Sequence, residues 1–379
     1  MAVIILAIYF KMKTMLDELG PEYIIEVYDP KLKYRGFLVI DNLSLGVGKG
    51  GIRMTSTVNV EELKRLARAM TLKNSLSGLP FGGAKAGIVL DPKVVSLERK
   101  KAVIENFARR LKPFCPKYYI AGPDINTGEK EMAWFAEAVG SWKAATGKPA
   151  NVCIKLFGDK WEKCGIPHEF GATGFGIAWA AKTAMEFLGK NIKGQTCAIA
   201  GFGNVGYFTF KFLEEMGAKI VAVSDVDGAI FDPKGLNLRQ VKNLPKKLGR
   251  EAIYELAVDI LIPAAVSDVI NEKNWNKVRA KIIVEGANIP IAEKYEEKLS
   301  KKGILIVPDI VANAGGVISS FAEYKGYHPK KMFETVKEKI VETTKLVLNE
   351  SKKKGWSVRR TAIEIAKRRI KVGIKTKNN

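Results

Sequence analysis

The sequence predicts an α/β protein of two domains, and three observations predict it. At 379 residues the chain exceeds the usual range of a single domain. Near residue 171 its texture changes from mixed segments to short apolar runs that alternate with helical ones. Apolar residues make up 47% of the chain and aromatics 9%, enough for a sizeable core, which argues against global disorder. The expected division is a mixed α/β domain over residues 1–170, a parallel, doubly wound domain over 171–327, and closing helices over 328–379 that return to the first domain.

The opening run MAVIILAIYF is too short to span a bilayer and lacks the basic start and small-residue cleavage site of a signal peptide. It reads as a strand or as upstream sequence ahead of a later start, since Met12 and Met15 follow closely. YIIEVYDP and YRGFLVIDN read as strands from their β-branched and aromatic content, punctuated by Asp-Pro and glycine. NVEELKRLARAMTLKNSL is an amphipathic helix. Asn59 and Glu62 offer a capping box, and Leu63, Leu66, Ala67 and Met70 recur at helical spacing. SLERKKAVIENFARRLKPF makes a second helix, closed by Pro113, and TGEKEMAWFAEAVGSW a third.

In the second half, GATGFGIAWAAKTAMEFLG is a helix of small residues. TCAIAGFGNVGYFTFKFLEEMG then supplies strand, glycine turn and helix, with Gly217 as the stop. KIVAVSD is the next strand, and the apolar runs in VDILIP, AKIIVEGA and GILIVPD continue the series. KKMFETVKEKIVETTKLVLNES and SVRRTAIEIAKRRI close the chain as helices.

Composition narrows the chemistry. Cys115, Cys153, Cys164 and Cys197 form no C-x-x-C pair, and His168 and His328 are the only histidines, so no metal site is expected. Free thiols in a large domain fit a reducing compartment, and a soluble cytoplasmic protein is the expectation. The net charge of +22 raises nucleic acid as a partner. From Ser351 to Asn379 there are eleven basic residues against one acidic, Glu364. No aromatic platform interleaves that charge, so a lysine-rich solvated helix face is the commoner reading and nucleic acid is not expected.

GFGNVG, from Gly201 to Gly206, is a G-x-G-x-x-G set between a strand and a helix. In that context the glycines allow a tight turn, close approach of pyrophosphate and tight helix packing, while the helix N-terminus offers amide donors. The second domain is therefore read as a Rossmann-type dinucleotide-binding domain. Gly201, Gly203, Asn204, Val205 and Gly206 are its candidate cofactor residues. Asp225 ends the next strand, 24 residues beyond Gly201, where a carboxylate accepts from ribose hydroxyls and repels a 2′-phosphate. The simpler alternative is that Asp225 or Asp227 caps a turn. No basic residue follows immediately, so NAD is favoured over NADP.

Residues 78–88 read GLPFGGAKAGI, with Lys85 among Gly82, Gly83, Ala84, Ala86 and Gly87. Such small neighbours let a substrate or a backbone approach closely. Lys49 sits in GVGKGGIR, Lys73 at the end of a helix in MTLKN, and Asp124 in AGPDINTG on a loop. Each lysine alone reads as a solvated surface group. Together, several cations around one cleft suit a dicarboxylate, and a desolvated lysine near other cations has a lowered pKa and can transfer protons.

GVGKGGIRM, RAMTLKNSLSGLPFGGAKAGI, AGPDINTGEKEMAWF, GATGFGI, AGFGNVG, VEGAN and PDIVANAGGVISSFAEY, taken together, resemble the glutamate/leucine/phenylalanine/valine dehydrogenase family. The likeness runs from Gly46 to Glu323, about three quarters of the chain, with the motifs in the family's order and spacing. It implies reversible oxidative deamination of an L-amino acid to its 2-oxo acid and ammonia, with hydride passing to NAD or NADP. It also implies a homo-oligomer, a hexamer, built through an N-terminal domain that binds substrate.

By this resemblance Lys85 is the catalytic lysine that helps activate the attacking water, and Asp124 the general acid/base at the nitrogen. Lys73 would bind the α-carboxylate, while Thr173, Asn288 and Asn313 would line the cofactor side of the cleft. The chemistry suits the residue types. A lysine serves as a base near neutral pH only if its pKa falls to about 7–8, and burial and neighbouring cations both push it there.

Lys49 and Ser320 match the positions that hold the side-chain carboxylate in glutamate enzymes, so glutamate is the expected substrate. An unpaired lysine in an apolar pocket is costly, which argues against leucine. Two departures point the other way. Glu169 stands where the glutamate enzymes usually carry an arginine ahead of ATG, and Gly122 replaces the usual alanine before Pro-Asp. His168 reads as a loop histidine with a structural hydrogen bond. The rivals are the same reaction on a branched-chain or aromatic amino acid, and a non-catalytic anion- or RNA-binding relative.

Overall fold

The glycine-rich stretch around Lys85 forms a strand. A computed structural model of the chain describes residues 17–150, 165–167, 170–243, 245 and 247–378. MAVIILAIYF, Cys153, Cys164, His168 and Glu169 lie outside the described residues, and with them the expectations placed on each. By its contacts the chain divides into two units. The first comprises Met1–Pro167, Ser320–His328 and Ala366–Asn379; the second comprises His168–Ser319 and Pro329–Ile365.

The first unit is built on a five-stranded sheet with strands β1 (Tyr23–Asp29), β2 (Tyr34–Asn42), β3 (Val47–Thr55), β4 (Phe81–Val89) and β5 (Tyr119–Gly122). Their order is β1-β2-β4-β3-β5. The β1/β2 and β2/β4 pairs are antiparallel, while β3 runs parallel to both β4 and β5. Strands β3 and β4 hold the two glycine–lysine motifs, and their composition carries little β-propensity.

What places them is close approach. A Cβ on Gly83 would fall 2.1 Å from Thr71 Oγ1 and 2.3 Å from Thr71 N. Thr71 belongs to helix α1 (Val60–Leu76), so the absent side chain is what lets α1 lie directly on the sheet. The small residues beside Lys85 therefore serve backbone packing, the second of the two uses expected of them. Asn59 caps α1 by accepting from Glu62 N, as expected, but the Glu62 carboxylate turns to Arg53 rather than completing a capping box.

The alternation of each strand divides the unit into two layers. Phe37 and Val39 of β2 pack with Val58, Leu63 and Ala67 beneath α1. On the other face Leu38, Ile40, Ile52, Met54, Ala86 and Ile88 join helices α2 (Leu97–Leu111) and α3 (Glu129–Val139) in the larger core. Gly140, at φ +80°, stops α3 short of the expected Trp142.

The second unit carries strands β6 (Thr196–Ala200), β7 (Lys219–Asp225), β8 (Gly228–Phe231), β9 (Ile260–Pro263), β10 (Ile282–Val284) and β11 (Leu305–Val307). Their order is β11-β10-β9-β6-β7-β8. Five strands are parallel, as the alternating pattern implies, and β8 adds an antiparallel edge through a tight turn after Asp225. Helices α4 (Ala172–Phe187) and α5 (Asn204–Glu215) pack closely, because a Cβ on Gly174 would meet Thr209 N at 2.6 Å.

The closing helices depart from expectation. Of residues 328–379, only His328 and Ala366–Asn379 belong with the first unit, and Pro329–Ile365 belongs with the second. The reason is packing: Phe333, in the long helix that begins at Pro329, meets Phe175 of α4 and Phe212 of α5 edge to face. Among the described residues no helix is long and apolar enough to cross a membrane.

Candidate active site

In the first unit, strand register determines which residues meet. Lys49 of β3 pairs with Gly83 of β4 and Ile120 of β5, and strand positions two apart share a face. Lys85, two residues past Gly83, therefore lies on the face that holds Lys49, and this is the face on which α1 rests. Lys73 is in the last turn of α1, two residues beyond the Thr71 that abuts Gly83. Asp124 follows β5 directly, and its Oδ1 lies 3.2 Å from Lys85 Nζ. The catalytic pair expected from the sequence is thus in contact. Lys49, Lys73 and Lys85 are only 2%, 6% and 6% exposed, so none is a solvated surface lysine.

Arg53, on the same strand as Lys49, clamps the acid. Its Nε donates to Asp124 Oδ2 at 2.8 Å and its Nη1 reaches Glu62 Oε1 at 2.5 Å. Burial pushes the Asp124 carboxyl up, but Lys85 and Arg53 together outweigh it and hold the group below its usual range. Asp124 is a carboxylate at neutral pH, ready to accept a proton.

The lysine that burial pulls down is Lys49, to about 7; Glu323 opposes that shift, while Lys148 and Lys85 add to it. Its Nζ donates to Ala121 O at 2.9 Å. A Cβ on Gly122 would fall 2.5 Å from that nitrogen, so the glycine found in place of alanine is what admits Lys49 in this position. Thr146 Oγ1 lies 3.9 Å from the same point and is buried with no hydrogen-bond partner among the described residues. A buried hydroxyl left open beside an ammonium is a place where a ligand oxygen fits.

Ser320 is half-buried in helix Gly315–Tyr324, three residues before Glu323. Phe81, at the start of β4, stacks edge to face on Phe321 and Tyr324, which fixes this turn against the sheet. Sequence reasoning passed over Arg53 and Glu323, although both lie inside the quoted motifs. It passed over Thr146 and Lys148 as well, whose stretch AATGKP offers no periodic or turn signal that marks chemistry.

In the second unit each motif glycine has a separate role. Gly201 takes φ +104°, and a Cβ there would meet Ala265 N at 2.6 Å. A Cβ on Gly206 would lie 1.9 Å from Gly201 O, whereas one on Gly203 would meet nothing within 4 Å. The outer glycines thus close the turn and seat the helix, and the middle one leaves the backbone open. Gly203 caps α5 without any side-chain acceptor, so the first-turn amides at Asn204 and Val205 stay available to phosphate oxygens.

Asp225 ends β7 as expected, and its Oδ1 accepts from Asp227 N at 2.9 Å. It caps the turn at the end of that strand. Asn313 Nδ2 donates to Gly286 O, Ala287 O and Asn288 Oδ1 at 3.1–3.3 Å, tying together two of the residues expected on the cofactor side. Thr173, the third, opens α4, and its Oγ1 would lie 2.9 Å from a Cβ on Gly316. These features fit a dinucleotide. No group of three or more His, Cys, Asp or Glu among the described residues is placed to hold a metal.

Residues 164–376 match the family described as Glutamate/Leucine/Phenylalanine/Valine dehydrogenase. Residues 21–141 match Glu/Leu/Phe/Val dehydrogenase, dimerisation domain. The NADP-specific glutamate dehydrogenase of Saccharolobus shibatae is 40% identical over 329 residues, covering 80% of this chain and 75% of that one. The glutamate dehydrogenase of Aeropyrum pernix is 38% identical over 333 residues, covering 81% and 77%. A hetero-hexameric glutamate dehydrogenase of Thermus thermophilus in a leucine-bound form superposes with a TM-score of 0.87 at 25% identity, covering 96% and 92%.

Proposed function

This chain belongs to the glutamate/leucine/phenylalanine/valine dehydrogenase family, and we propose that it deaminates L-glutamate reversibly to 2-oxoglutarate and ammonia. It is an NAD(P)-dependent amino acid dehydrogenase. The observation that carries the choice of glutamate is Lys49, an ammonium 2% exposed beside the open hydroxyl of Thr146. Facing an apolar substrate side chain, that ammonium would stay out of water with no ligand carboxylate to offset its desolvation, at a cost of several kcal/mol. Facing a carboxylate, it is neutralised. With its pKa near 7 in the free protein, Lys49 takes up a proton as the dicarboxylate binds at higher pH.

The remaining residues fall into a sequence of proton movements. Lys73 holds the α-carboxylate at the end of α1. Asp124, ionised by Lys85 and Arg53, accepts a proton from the substrate ammonium and frees the nitrogen lone pair. A bound nicotinamide would supply the acceptor for the hydride of the α-carbon. Water adds to the carbon of the resulting iminium, its oxygen held by a hydrogen bond from the Lys85 ammonium. The proton on Asp124 passes to the nitrogen, Asp124 takes one back from the adding water, and the remaining hydroxyl proton leaves with the ammonia as the C–N bond breaks and C=O forms. Ser320 adds a hydroxyl for the side-chain carboxylate, and Gly201, Gly203, Asn204, Val205 and Gly206 would hold the pyrophosphate. Asp225 at the end of β7 favours NAD, since a carboxylate there repels a 2′-phosphate.

Two further readings rest on the same family. The match of residues 21–141 to a dimerisation domain supports a homo-oligomer, and the Thermus relative supports six subunits. Buried, unpaired Cys115 and Cys197 support a cytoplasmic setting.

The test is absorbance of the reduced nicotinamide, with NAD and NADP each run against a panel of L-amino acids. Glutamate should exceed leucine, valine and phenylalanine, with NAD preferred. Turnover of leucine but not glutamate overturns the reading of Lys49. Lys85→Ala should lower kcat on the order of 10²–10⁴-fold at unchanged melting temperature.

A further inference from the structure

Glu323 and Lys148 form an ion pair that is only 2% exposed on either side, with Nζ and Oε1 2.6 Å apart. The mechanism above uses neither. A pair buried so completely costs desolvation that its own attraction returns only with good geometry and further hydrogen bonds. Both are present. Glu323 Oε2 accepts from Gly147 N at 2.7 Å and from Ile166 N at 2.8 Å, and Lys148 Nζ also donates to Ala145 O. The Lys148 ammonium lies over the Trp142 ring, 4.6 Å from its centroid.

These contacts continue to Lys49. Ala121 O accepts from Lys49 Nζ at 2.9 Å and from Thr146 N at 3.0 Å, and Thr146 is the neighbour of Gly147. One carbonyl thus joins the substrate lysine to the turn that Glu323 holds from the far side. We propose that Glu323 is a positioning residue for the side-chain pocket: it fixes the turn at residues 145–148 behind Lys49 and supplies the pocket's counter-charge to that lysine.

Of the charges that act most on Lys49, Glu323 is the anion, and Lys148 and Lys85 are cations. From β4 comes Lys85, a cation, with Asp124 beside it already held by Lys85 and Arg53. Lys148 is a second cation. Tyr119 on β5 is spent on Gly50 O, to which its hydroxyl donates, and burial raises its pKa well above the usual value. Glu323 is the carboxylate whose charge supports the protonated form of Lys49. The helix turn that delivers Ser320 delivers Glu323 as well, so one short segment provides the pocket's hydroxyl and its counter-charge.

The inference rests on the glutamate reading but is tested apart from it. Glutarate, a five-carbon dicarboxylate without the amine, serves as competitive inhibitor of glutamate oxidation from pH 6 to 9. At pH 6 Lys49 is mostly charged in the wild type and still about half charged if its pKa falls by one unit, so Glu323→Gln should leave the inhibition constant within about threefold. At pH 9 it should weaken glutarate by about tenfold relative to the wild type, the effect of lowering one pKa by one unit. Glu323→Asp keeps the charge and should keep the wild-type pH profile. A loss equal at all pH values would make Glu323 merely structural and overturn the proposal.

A second readout covers a variant that folds poorly and a wild type that ignores glutarate. The pH dependence of Lys49 acetylation, read by peptide mass spectrometry without substrate, should shift to higher pH in Lys148→Met, where a neighbouring cation is gone, and to lower pH in Glu323→Gln. An unmoved Lys49 profile in either protein that folds sinks the inference. Failure of glutarate and glutamate with the wild type, while that profile moves as stated, instead counts against glutamate as substrate.

Discussion

The lysine face of the first unit and the glycine turn of the second solve opposite problems. Around Lys49, Lys73, Lys85 and Asp124, charged side chains are held almost out of water, with Arg53 paired to Asp124 and Glu323 opposing the loss of charge on Lys49. At Gly201–Gly206 side chains are kept away, so that the backbone at Gly203 stays open and the helix seats on Gly201. The first site works through ionisation and should respond to pH and to counter-charges. The second works through shape, and an added methyl should damage it whatever the pH.

Gly206→Ala should break the shape-dependent site most severely. Its Cβ would meet a backbone oxygen at 1.9 Å, which no rotamer relieves. Loss of stability of about 1–3 kcal/mol, with cofactor affinity down tenfold or more, is expected by melting and fluorescence titration of the reduced nicotinamide. A variant with intact cofactor affinity would show that the turn does not carry the binding.

Lys49→Met probes the charged site through stability. The folded-state pKa of about 7 lies below the ordinary lysine value of 10.5, so between these limits the unfolded chain holds more protons. Lys49 therefore costs the fold most below pH 7, and its cost shrinks as pH rises toward 10.5. The stabilisation from Lys49→Met should be larger at pH 6 than at pH 9 by about 2–3 kcal/mol in denaturant titrations. A gain that does not vary with pH would mean Lys49 is not desolvated in solution.

Gly122→Ala should have the smallest effect on stability, because its Cβ meets the end of a flexible lysine rather than backbone. Stability should change by less than about 1.5 kcal/mol, while KM for glutamate rises as Lys49 is displaced. Damage as large as in Gly206→Ala would erase the distinction between the two sites.

Much of this was legible from residues close in sequence. Asn59 announced the start of α1, Gly217 the end of α5, and GFGNVG its own strand-turn-helix, since caps, turns and periodicity depend on neighbours a few positions apart. Strands β3 and β4 were less legible, because glycines chosen for packing against α1 hide the β pattern. The lysines and Asp124 stood out through motif likeness, while Arg53, sharing a motif with Lys49, was missed because nothing local says where its guanidinium points.

The sequence by itself determined the two-domain α/β class, the glycine turn between strand and helix, and Lys49, Lys73, Lys85 and Asp124 as candidates. Only the tertiary structure decided which lysine loses its water, which glycine makes room for it, and which carboxylate answers its charge. Lys49 meets Ala121 across 72 residues and Lys148 meets Glu323 across 175. Desolvation and ion pairing are properties of such distant neighbours, and folding brings them together after every local signal has been read.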